Sequence, residues 1–204
     1  MAQKSRKRTL KRGGYDVYDP FFHRAKEDGF RARSVFKLEE IQNKFSIVRH
    51  GDIVLDVGAA PGSFLQYLVR VVGPSGSVTG FDIKAIDGIE GARTFIADIF
   101  DDAAVSENIS GQTFDVITSD IAPNTSGIKD LDQARSVDLN FRVLELSQKY
   151  LKKGGNLLLK VFFGVDFHSL IHAVRKNFER VSVYKPESSR KQSRETYIIA
   201  MKKR

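Results

Sequence analysis

The chain has 204 residues, which is enough for one well-buried domain and too few for two ordinary domains joined by a linker. It contains no cysteine, which excludes disulfide scaffolds, thiolate metal sites and a cysteine nucleophile. No apolar run in the sequence approaches the ~20 residues needed to cross a bilayer, and the basic N-terminus lacks the apolar segment of a signal peptide. We therefore expect a cytoplasmic location and no membrane partner.

The net charge of +8 is concentrated at the two ends of the chain. Residues 1–12 hold six basic and no acidic residues, and residues 185–204 hold seven basic and two acidic ones. The residues between them, with 20 basic and 23 acidic side chains, are mildly acidic. Basic ends attract polyanions because each neutralised phosphate releases counterions, so the charge favours a nucleic-acid partner. Solvated tails that only aid solubility are the alternative.

The N-terminal quarter of the sequence predicts a basic arm followed by two helices. Residues 1–14 predict a flexible arm, and 15–204 a single domain that begins with a helical part at 15–50. The first helix is expected at about 20–28, with proline in its first turn, and the second after Ser34. Four residues recur in the second helix at helical spacing and predict a core-facing side: Val35, Leu38, Ile41 and Phe45.

From residue 51 onward, short apolar runs bounded by glycine and aspartate alternate with helical segments. Strands are predicted at 53–57, 77–81, 93–97, 114–119, 156–162, 181–184 and 196–201, and helices at 64–72, 101–108, 130–150 and 166–177. The longest helix is expected to place Leu131, Ala134, Val137, Leu144 and Leu146 on or near one face. Gly154-Gly155 is expected to end this helix.

Strands that alternate with helices indicate a parallel sheet covered on both faces. The last two predicted strands have no helix between them, so we expect them to form an antiparallel pair. Residues 51–204 therefore predict an α/β fold. Its core is a Rossmann-like, seven-stranded, mostly parallel sheet with an antiparallel last strand and helices on both faces.

The loop after the first strand is the clearest candidate for a ligand site. Open α/β sheets bind ligands beyond the carboxyl ends of their strands. Here the first strand is followed by a tight loop, Gly58-Ala59-Ala60-Pro61-Gly62. Gly58 and Gly62 allow the backbone to turn and to approach a ligand closely. The dinucleotide motif G-x-G-x-x-G and the phosphate-binding P-loop are both absent, and Pro61 suits a ligand without a pyrophosphate.

Carboxylates follow the next two strands. Asp82 can accept hydrogen bonds from both hydroxyls of a ribose, and Asp98 can accept one from an adenine amino group. Phe64 or Ile83 can pack against the base. Acids at successive strand ends repel phosphates but suit a ribose, an amine and a sulfonium, which points to S-adenosylmethionine (SAM). The alternative is that both aspartates only cap turns or helices.

Three more ionisable residues are associated with strand ends: Asp120, Lys160 and Glu195. Lys160 lies in an otherwise apolar run, where a lysine is costly to bury without a role or a partner. An ordinary structural ion pair and a catalytic role are equally compatible with this pattern.

Several stretches of the sequence resemble the FtsJ-type family of ribose 2′-O-methyltransferases that act on large-subunit (23S) ribosomal RNA. The resemblance covers nearly the whole chain from Asp19 onward. It is carried by the stretches at 33–41, 56–62, 119–127, 160–162 and 185–195, which occur in the family's order and spacing. It implies a class I SAM-dependent methyltransferase with an RNA substrate, working as a monomer and without a metal.

The resemblance also implies roles for individual residues. The family's catalytic Lys-Asp-Lys-Glu tetrad corresponds to Lys37, Asp120, Lys160 and Glu195. Its SAM-binding residues correspond to Gly62, Phe64, Asp82, Asp98 and Asp120. The bacterial pattern has Gly-Trp after Pro-Gly where this chain has Ser63-Phe64, which keeps an aromatic ring. The sequence leaves open whether Lys160 takes the proton of the ribose hydroxyl or orients that hydroxyl as a cation.

Other functions remain as alternatives. Transfer RNA is the alternative substrate within the family, and the target is expected to be a uridine ribose. A non-catalytic RNA-binding module fits the basic ends but leaves the glycine loop and strand-end acids without a purpose. The glycine motif of NAD-dependent dehydrogenases is absent from this sequence, which argues against that class of enzyme. His168 and His172 have the i, i+4 spacing of a zinc pair, but no third ligand is evident, so a metal is not expected.

Overall fold

The computed structural model describes residues 19–109, 111–123, 127–164, 166–190 and 192–204. The predicted basic arm at 1–14 lies outside the described residues. The division at residue 51 between a helical part and the core stays a prediction.

Six helices and seven strands alternate along these residues. The helices are α1 (Pro20–Glu27), α2 (Val35–Phe45), α3 (Ser63–Val72), α4 (Asp102–Ile109), α5 (Lys129–Tyr150) and α6 (Phe167–Asn177). The strands are β1 (Ile53–Val57), β2 (Ser77–Asp82), β3 (Ala92–Ile96), β4 (Phe114–Ser119), β5 (Leu151–Phe162), β6 (Phe178–Tyr184) and β7 (Glu195–Lys203). Each of the predicted elements is present, with ends shifted by a few residues.

The strands form one sheet in the order β3-β2-β1-β4-β5-β7-β6. Neighbouring strands are parallel from β3 through β5, whereas β7 runs antiparallel to both β5 and β6. This confirms the predicted Rossmann-like sheet with an antiparallel last strand. The chain reverses its direction along the sheet between β3 and β4, and such a switch point opens a crevice at the carboxyl ends of the strands.

Successive side chains of each strand point to opposite faces of the sheet and pack in two hydrophobic cores, one on each face. Helices α4, α5 and α6 pack on one face, against residues such as Leu157 and Leu159. Helices α2 and α3 pack on the other, against residues such as Leu158 and Tyr197. Burying both faces explains why the central strands are almost continuously apolar.

The two N-terminal helices are attached firmly to the sheet domain. Asp19 caps α1 by accepting a hydrogen bond from the Phe22 amide at 3.2 Å, and it also forms an ion pair with Arg33. The carboxylate of Glu40 in α2 accepts hydrogen bonds from the amides of Glu187 and Ser188, at 2.7 and 2.9 Å. The segment between β6 and β7 is thereby fixed over α2.

Two details differ from the expectation. Helix α5 ends at Tyr150, and β5 begins at the next residue, so Gly154-Gly155 lies inside a strand and does not end the helix. Pairing of Leu151 with Phe114, followed by a shift of register before Val116, outweighs the local glycine signal. Leu131 is exposed, since only the later apolar residues of α5 face the core.

Among the described residues, no helix combines the length and apolarity that would let it span a membrane.

Candidate active site

A cavity of about 470 Å³ opens at the carboxyl ends of the parallel strands, beside the switch point. Its size lies within the range of about 300–1,000 Å³ that is usual for small-molecule sites. The strand-end loops line it, together with Ser34, Leu139 and Lys160. The lining residues that sequence analysis proposed for a cofactor are Gly58, Pro61, Asp82, Ile83, Asp98 and Asp120.

The glycine loop after β1 approaches the cavity because two of its residues have no side chain. The amides of Gly58 and Ala59 donate to the carbonyl of Phe81, which folds the loop back against β2. A Cβ atom on Gly58 would lie 2.8 Å from the backbone of Ile121, and the φ of +74° is itself unfavourable for other residues. Gly62 adopts a φ of +107° at the N-cap of α3, so it shapes the loop without lining the cavity.

Asp82 has a structural contact on each carboxylate oxygen. Its Oδ2 accepts a hydrogen bond from the Ala60 amide at 3.0 Å, and its Oδ1 accepts one from the Lys84 amide at 2.9 Å. Each oxygen retains a lone pair, so a pair of adjacent hydroxyls can still donate to this carboxylate. The turn-capping alternative and the ligand role are therefore compatible. Asp98 has more free capacity, since its Oδ1 accepts from the Phe100 amide at 3.0 Å and its Oδ2 accepts from no group among the described residues.

Apolar side chains form the walls between these two acids. Phe81 and Ile99 are buried beneath the cavity, whereas Ile83 and Phe100 are exposed beside it, each with 58% of its surface accessible. Two such side chains can enclose the faces of a flat base. Phe64, the other aromatic residue proposed for this role, is buried in the core between α3 and the sheet and does not line the cavity.

These residues fit SAM on their own chemistry. The cavity offers a carboxylate for ribose hydroxyls, a second carboxylate with a spare oxygen for an amino group, and exposed apolar side chains for a base. Carboxylates also suit a positive sulfonium and disfavour a pyrophosphate.

The register of β5 and β7 brings the proposed catalytic residues to one face of the sheet. Lys160 lies opposite Tyr197, and Glu195 is two residues before Tyr197, so all three side chains point to the same face. That is the face covered by α2, the helix that carries Lys37. Asp120 follows β4 directly and reaches the same corner from the neighbouring strand.

The four residues form two ion pairs with little access to solvent. Lys37 Nζ lies 2.5 Å from Glu195 Oε1, and the two side chains are 11% and 13% exposed. Lys160 Nζ lies 3.1 Å from Asp120 Oδ1 and also donates to the main-chain carbonyl of Asp120. Only the second pair lines the cofactor cavity. The tetrad therefore extends from the cavity outward to Glu195.

Sequence reasoning missed Tyr197, which belongs to the same cluster. Its side chain is fully buried, and its hydroxyl donates a hydrogen bond to Asp120 Oδ1 at 2.7 Å. Burial, together with the nearby carboxylates of Asp120 and Glu195, raises the pKa of Tyr197 well above its ordinary value. The hydroxyl thus stays protonated and holds Asp120 in place. Strand alternation from Glu195 was the available signal, since it puts Tyr197 on the same face.

Asp56, in β1, is a second buried carboxyl group near the tetrad. Its Oδ1 accepts a hydrogen bond from the Thr118 hydroxyl at 2.6 Å, and its Oδ2 is buried without a partner among the described residues. Burial is the main cause that raises the pKa of Asp56 to about 8, with smaller contributions from Asp120 and Asp82. At neutral pH this carboxyl group is therefore mostly uncharged, and it does not compete with Asp120 for cations.

His168 and His172 lie on the exposed side of α6. Within the described parts of the chain, no cluster of three or more potential metal-binding side chains occurs.

Comparison of the sequence with protein families gives one match to most of the chain. The model of the FtsJ-like methyltransferase family matches residues 30–203. A relative from Syntrophobacter fumaroxidans, named ribosomal RNA large subunit methyltransferase E, is 45% identical over 193 residues, which cover 93% of this chain and 98% of the relative. A relative of the same name from Desulfatibacillum aliphaticivorans is 42% identical over 199 residues, covering 97% and 96%.

Solved structures give the same picture of the fold. A Plasmodium falciparum protein described as a ribosomal RNA methyltransferase superposes with a TM-score of 0.77 at 26% identity, covering 85% of this chain and 98% of that one. Fibrillarin from Aeropyrum pernix, crystallised with natively bound SAM, gives a TM-score of 0.57 at 14% identity over 76% and 68% of the two chains. The second likeness concerns the fold alone.

Proposed function

This chain belongs to the FtsJ-like methyltransferase family, and we propose that it methylates the ribose 2′-hydroxyl of a uridine in large-subunit (23S) ribosomal RNA. It is a SAM-dependent methyltransferase. The observation that carries the proposal is the convergence of Lys37, Asp120, Lys160 and Glu195 at the edge of the cofactor cavity.

We assign the cofactor to the cavity at the strand ends. Asp82 would accept the ribose hydroxyls, Asp98 the adenine amino group, and Ile83 and Phe100 would pack against the base. Gly58 and Pro61 leave room for the rest of the molecule beside Asp120. Bound there, SAM supplies a methyl group made electrophilic by a positive sulfur, so positioning accounts for much of the rate.

The tetrad prepares the nucleophile. A hydroxyl is a poor nucleophile, and a base that takes its proton in the transition state accelerates its attack by roughly 10²–10⁴-fold. We assign this role to Lys160. Lys160 Nζ is held at the cavity edge by the side-chain Oδ1 and the main-chain carbonyl of Asp120, and to act as the base it must first give up the extra proton that it carries in this ion pair.

The other members of the tetrad hold the substrate and each other. Asp120 is fixed by Tyr197 and keeps Lys160 directed at the cavity edge. Lys37 and Glu195 pair beside it, where a cation and a carboxylate can donate to and accept from the ribose and its neighbouring phosphate. The ribose is thereby oriented with its 2′-oxygen toward the cofactor cavity.

The substrate assignment rests on the names of the relatives and on the charge of the chain. Both bacterial relatives are named for the large subunit, and the basic ends of this chain suit an RNA partner. We propose that the enzyme acts as a monomer in the cytoplasm, with the large ribosomal subunit as the particle that carries its substrate.

A labelling experiment tests the proposal. Purified enzyme and methyl-labelled SAM are incubated with large subunits, with free 23S RNA and with transfer RNA from cells that lack the enzyme. Because 2′-O-methylation blocks alkaline cleavage, the label should appear in an alkali-resistant dinucleotide from 23S RNA, with uridine on its 5′ side. Label in transfer RNA would support the alternative substrate. Label in mononucleotides would contradict ribose methylation, and RNA binding without transfer would support a non-catalytic module.

A further inference from the structure

A second cavity, of about 540 Å³, lies on the outer side of the tetrad. Glu195 forms part of its wall, so it begins where the proposed ribose site ends. The other lining residues come from three places, namely α5, the end of β5 and the segment before β7. They are Gln133, Phe163, Gly164, Lys185, Ser193, Arg194 and Thr196. No residue of this cavity apart from Glu195 has a role in the site described above.

Phe163 is the unusual residue in this cavity. It follows β5 directly, and 56% of the residue's surface is exposed, although large apolar side chains are favoured inside. Its backbone is nevertheless held on both sides. The Phe163 amide donates to the Arg194 carbonyl at 3.1 Å, and the Phe163 carbonyl accepts from Gln133 Nε2 at 2.9 Å. The ring is therefore carried at a fixed position beside the cavity.

The ring itself is also supported from below. Its centroid lies 4.9 Å from that of Phe167, which is buried, with a tilt of 48° between the planes. One side of the Phe163 ring therefore packs on the core, and the remaining surface borders the cavity. Along an extended chain Phe163 lies about 10 Å from Lys160. Three residues along a strand place the two side chains on opposite faces of the sheet, so a nucleoside stacked on Phe163 has to reach Lys160 around the end of β5.

Basic groups lie at the rim of the same cavity. Lys185 and Arg194 are exposed, and Lys185 Nζ donates to the Ser193 carbonyl at 2.7 Å, which keeps its charge near the opening. Cations beside an exposed aromatic ring are the combination that binds a single-stranded nucleotide, because the cations attract phosphate and the ring stacks on the base.

We propose that this cavity holds the base of the nucleotide whose ribose is methylated, with Phe163 stacking on that base. The proposal rests on the assignment of RNA ribose as the substrate. It gives Phe163 the role of a substrate-binding residue that orients the nucleoside, so that its 2′-hydroxyl faces Lys160 while the sugar rests beside the Lys37–Glu195 pair. An unpaired target nucleotide is required, since a base inside a duplex stack cannot enter the cavity.

Steady-state kinetics of three variants test the stacking role. Phe163→Ala should raise KM for 23S RNA roughly 5- to 150-fold, the range expected from loss of one base–aromatic stack, and leave KM for SAM unchanged. Phe163→Tyr keeps the ring and should resemble the wild type. Phe163→Leu keeps apolar bulk without an aromatic face and should resemble Phe163→Ala. If wild type methylates RNA and all three variants share its kinetic constants, the inference is wrong.

A binding measurement tests the cavity independently of turnover. The chain contains no tryptophan, so Phe163→Trp introduces a single fluorescent reporter. A uridine hexanucleotide should quench its emission, and a ribose-phosphate chain of the same length without bases should not. Equal effects of the two probes, or none with either, would overturn the inference. If bases quench the reporter but wild type transfers no methyl group to RNA, the proposed function fails while the base site stands.

Discussion

The two cavities beside the tetrad differ in how they are built. The cofactor cavity is lined largely by residues that follow β1, β2 and β3 directly, within one stretch of the chain. The outer cavity is assembled from α5, the end of β5 and the segment before β7, which are distant in sequence. The first kind of site follows from the topology of the sheet, whereas the second depends on how remote segments pack. The tetrad lies between them, with Asp120 and Lys160 in the wall of the cofactor cavity and Glu195 in the wall of the outer one.

The largest loss of turnover is expected for variants of Lys160, which lies where the cofactor cavity meets the proposed ribose site. Lys160→Ala should lower kcat by roughly 10²–10⁴-fold, because the group that takes the hydroxyl proton is lost. SAM binding measured by calorimetry should remain, since Lys160 only borders that cavity. Lys160→Arg keeps the charge and the donors but cannot serve as the base. An arginine variant with near-normal turnover would show that Lys160 acts as an orienting cation instead.

Asp82 tests the cofactor side alone. Asp82→Ala should weaken SAM binding by roughly 10- to 150-fold, the effect of losing hydrogen bonds to a charged acceptor, and leave RNA binding unchanged. Asp82→Asn keeps one acceptor oxygen and one of the two backbone contacts, so its affinity for SAM should fall between those of the wild type and the alanine variant. Unchanged SAM affinity in calorimetry for the alanine variant would refute the ribose contact.

A variant of Tyr197 tests whether turnover depends on the hydrogen bond that holds Asp120 in place. Tyr197→Phe removes only the hydroxyl that donates to Asp120 Oδ1. We expect kcat to fall about 10-fold, the equivalent of one hydrogen bond to a charged group, with KM for SAM and for RNA nearly unchanged. A variant that melts at a lower temperature but turns over normally would give Tyr197 a structural role only.

The raised pKa of Asp56 can be tested by the pH dependence of the free energy of unfolding. Because its pKa is raised from 3.8 to about 8, the folded chain retains a proton that the unfolded chain releases at lower pH. The stabilisation from this group is complete below about pH 4 and is lost as the pH rises through 8. Relative to Asp56→Asn, the free energy of unfolding of wild type should fall over this window by up to about 1.4 kcal/mol per pH unit. Parallel curves for the two proteins would contradict the raised pKa.

The smallest effect is expected on RNA binding, when the basic N-terminal end of the chain is removed. Deleting residues 1–12 removes six positive charges, so RNA binding should weaken and depend less on salt. Turnover at saturating RNA should stay the same. An unaltered slope of log affinity against log salt would instead support a tail that only aids solubility.

The sequence predicted those parts of the molecule that local patterns determine. Strand ends, the glycine loop, Asp82 and Asp98 lie in short motifs whose positions follow once the strands are identified. Lys37 was proposed only from a family resemblance, because its pairing with Glu195 depends on the packing of α2 on β7. Phe64 was a plausible base contact by its place after the loop, but the start of α3 turns its side chain into the core.

Three features escaped prediction for related reasons. Tyr197 and Phe163 are aromatic residues in or next to strands, and in a sequence such residues are most simply interpreted as core. The folded structure shows that the Tyr197 hydroxyl reaches Asp120 and that Phe163 lines the outer cavity. The start of β5 at Leu151 was missed because pairing with β4 overrides the helix-ending signal of two glycines.

The most direct test of the account removes one oxygen atom from the substrate. The RNA is synthesised with 2′-deoxyuridine at the position that the labelling experiment identifies, and methyl transfer and binding are measured beside the unmodified RNA. The account predicts binding within about twofold of the unmodified RNA, and no transfer, because Lys160 then has no hydroxyl to deprotonate. Transfer of label to the deoxy substrate would place the methyl group on the base and contradict a ribose-directed tetrad.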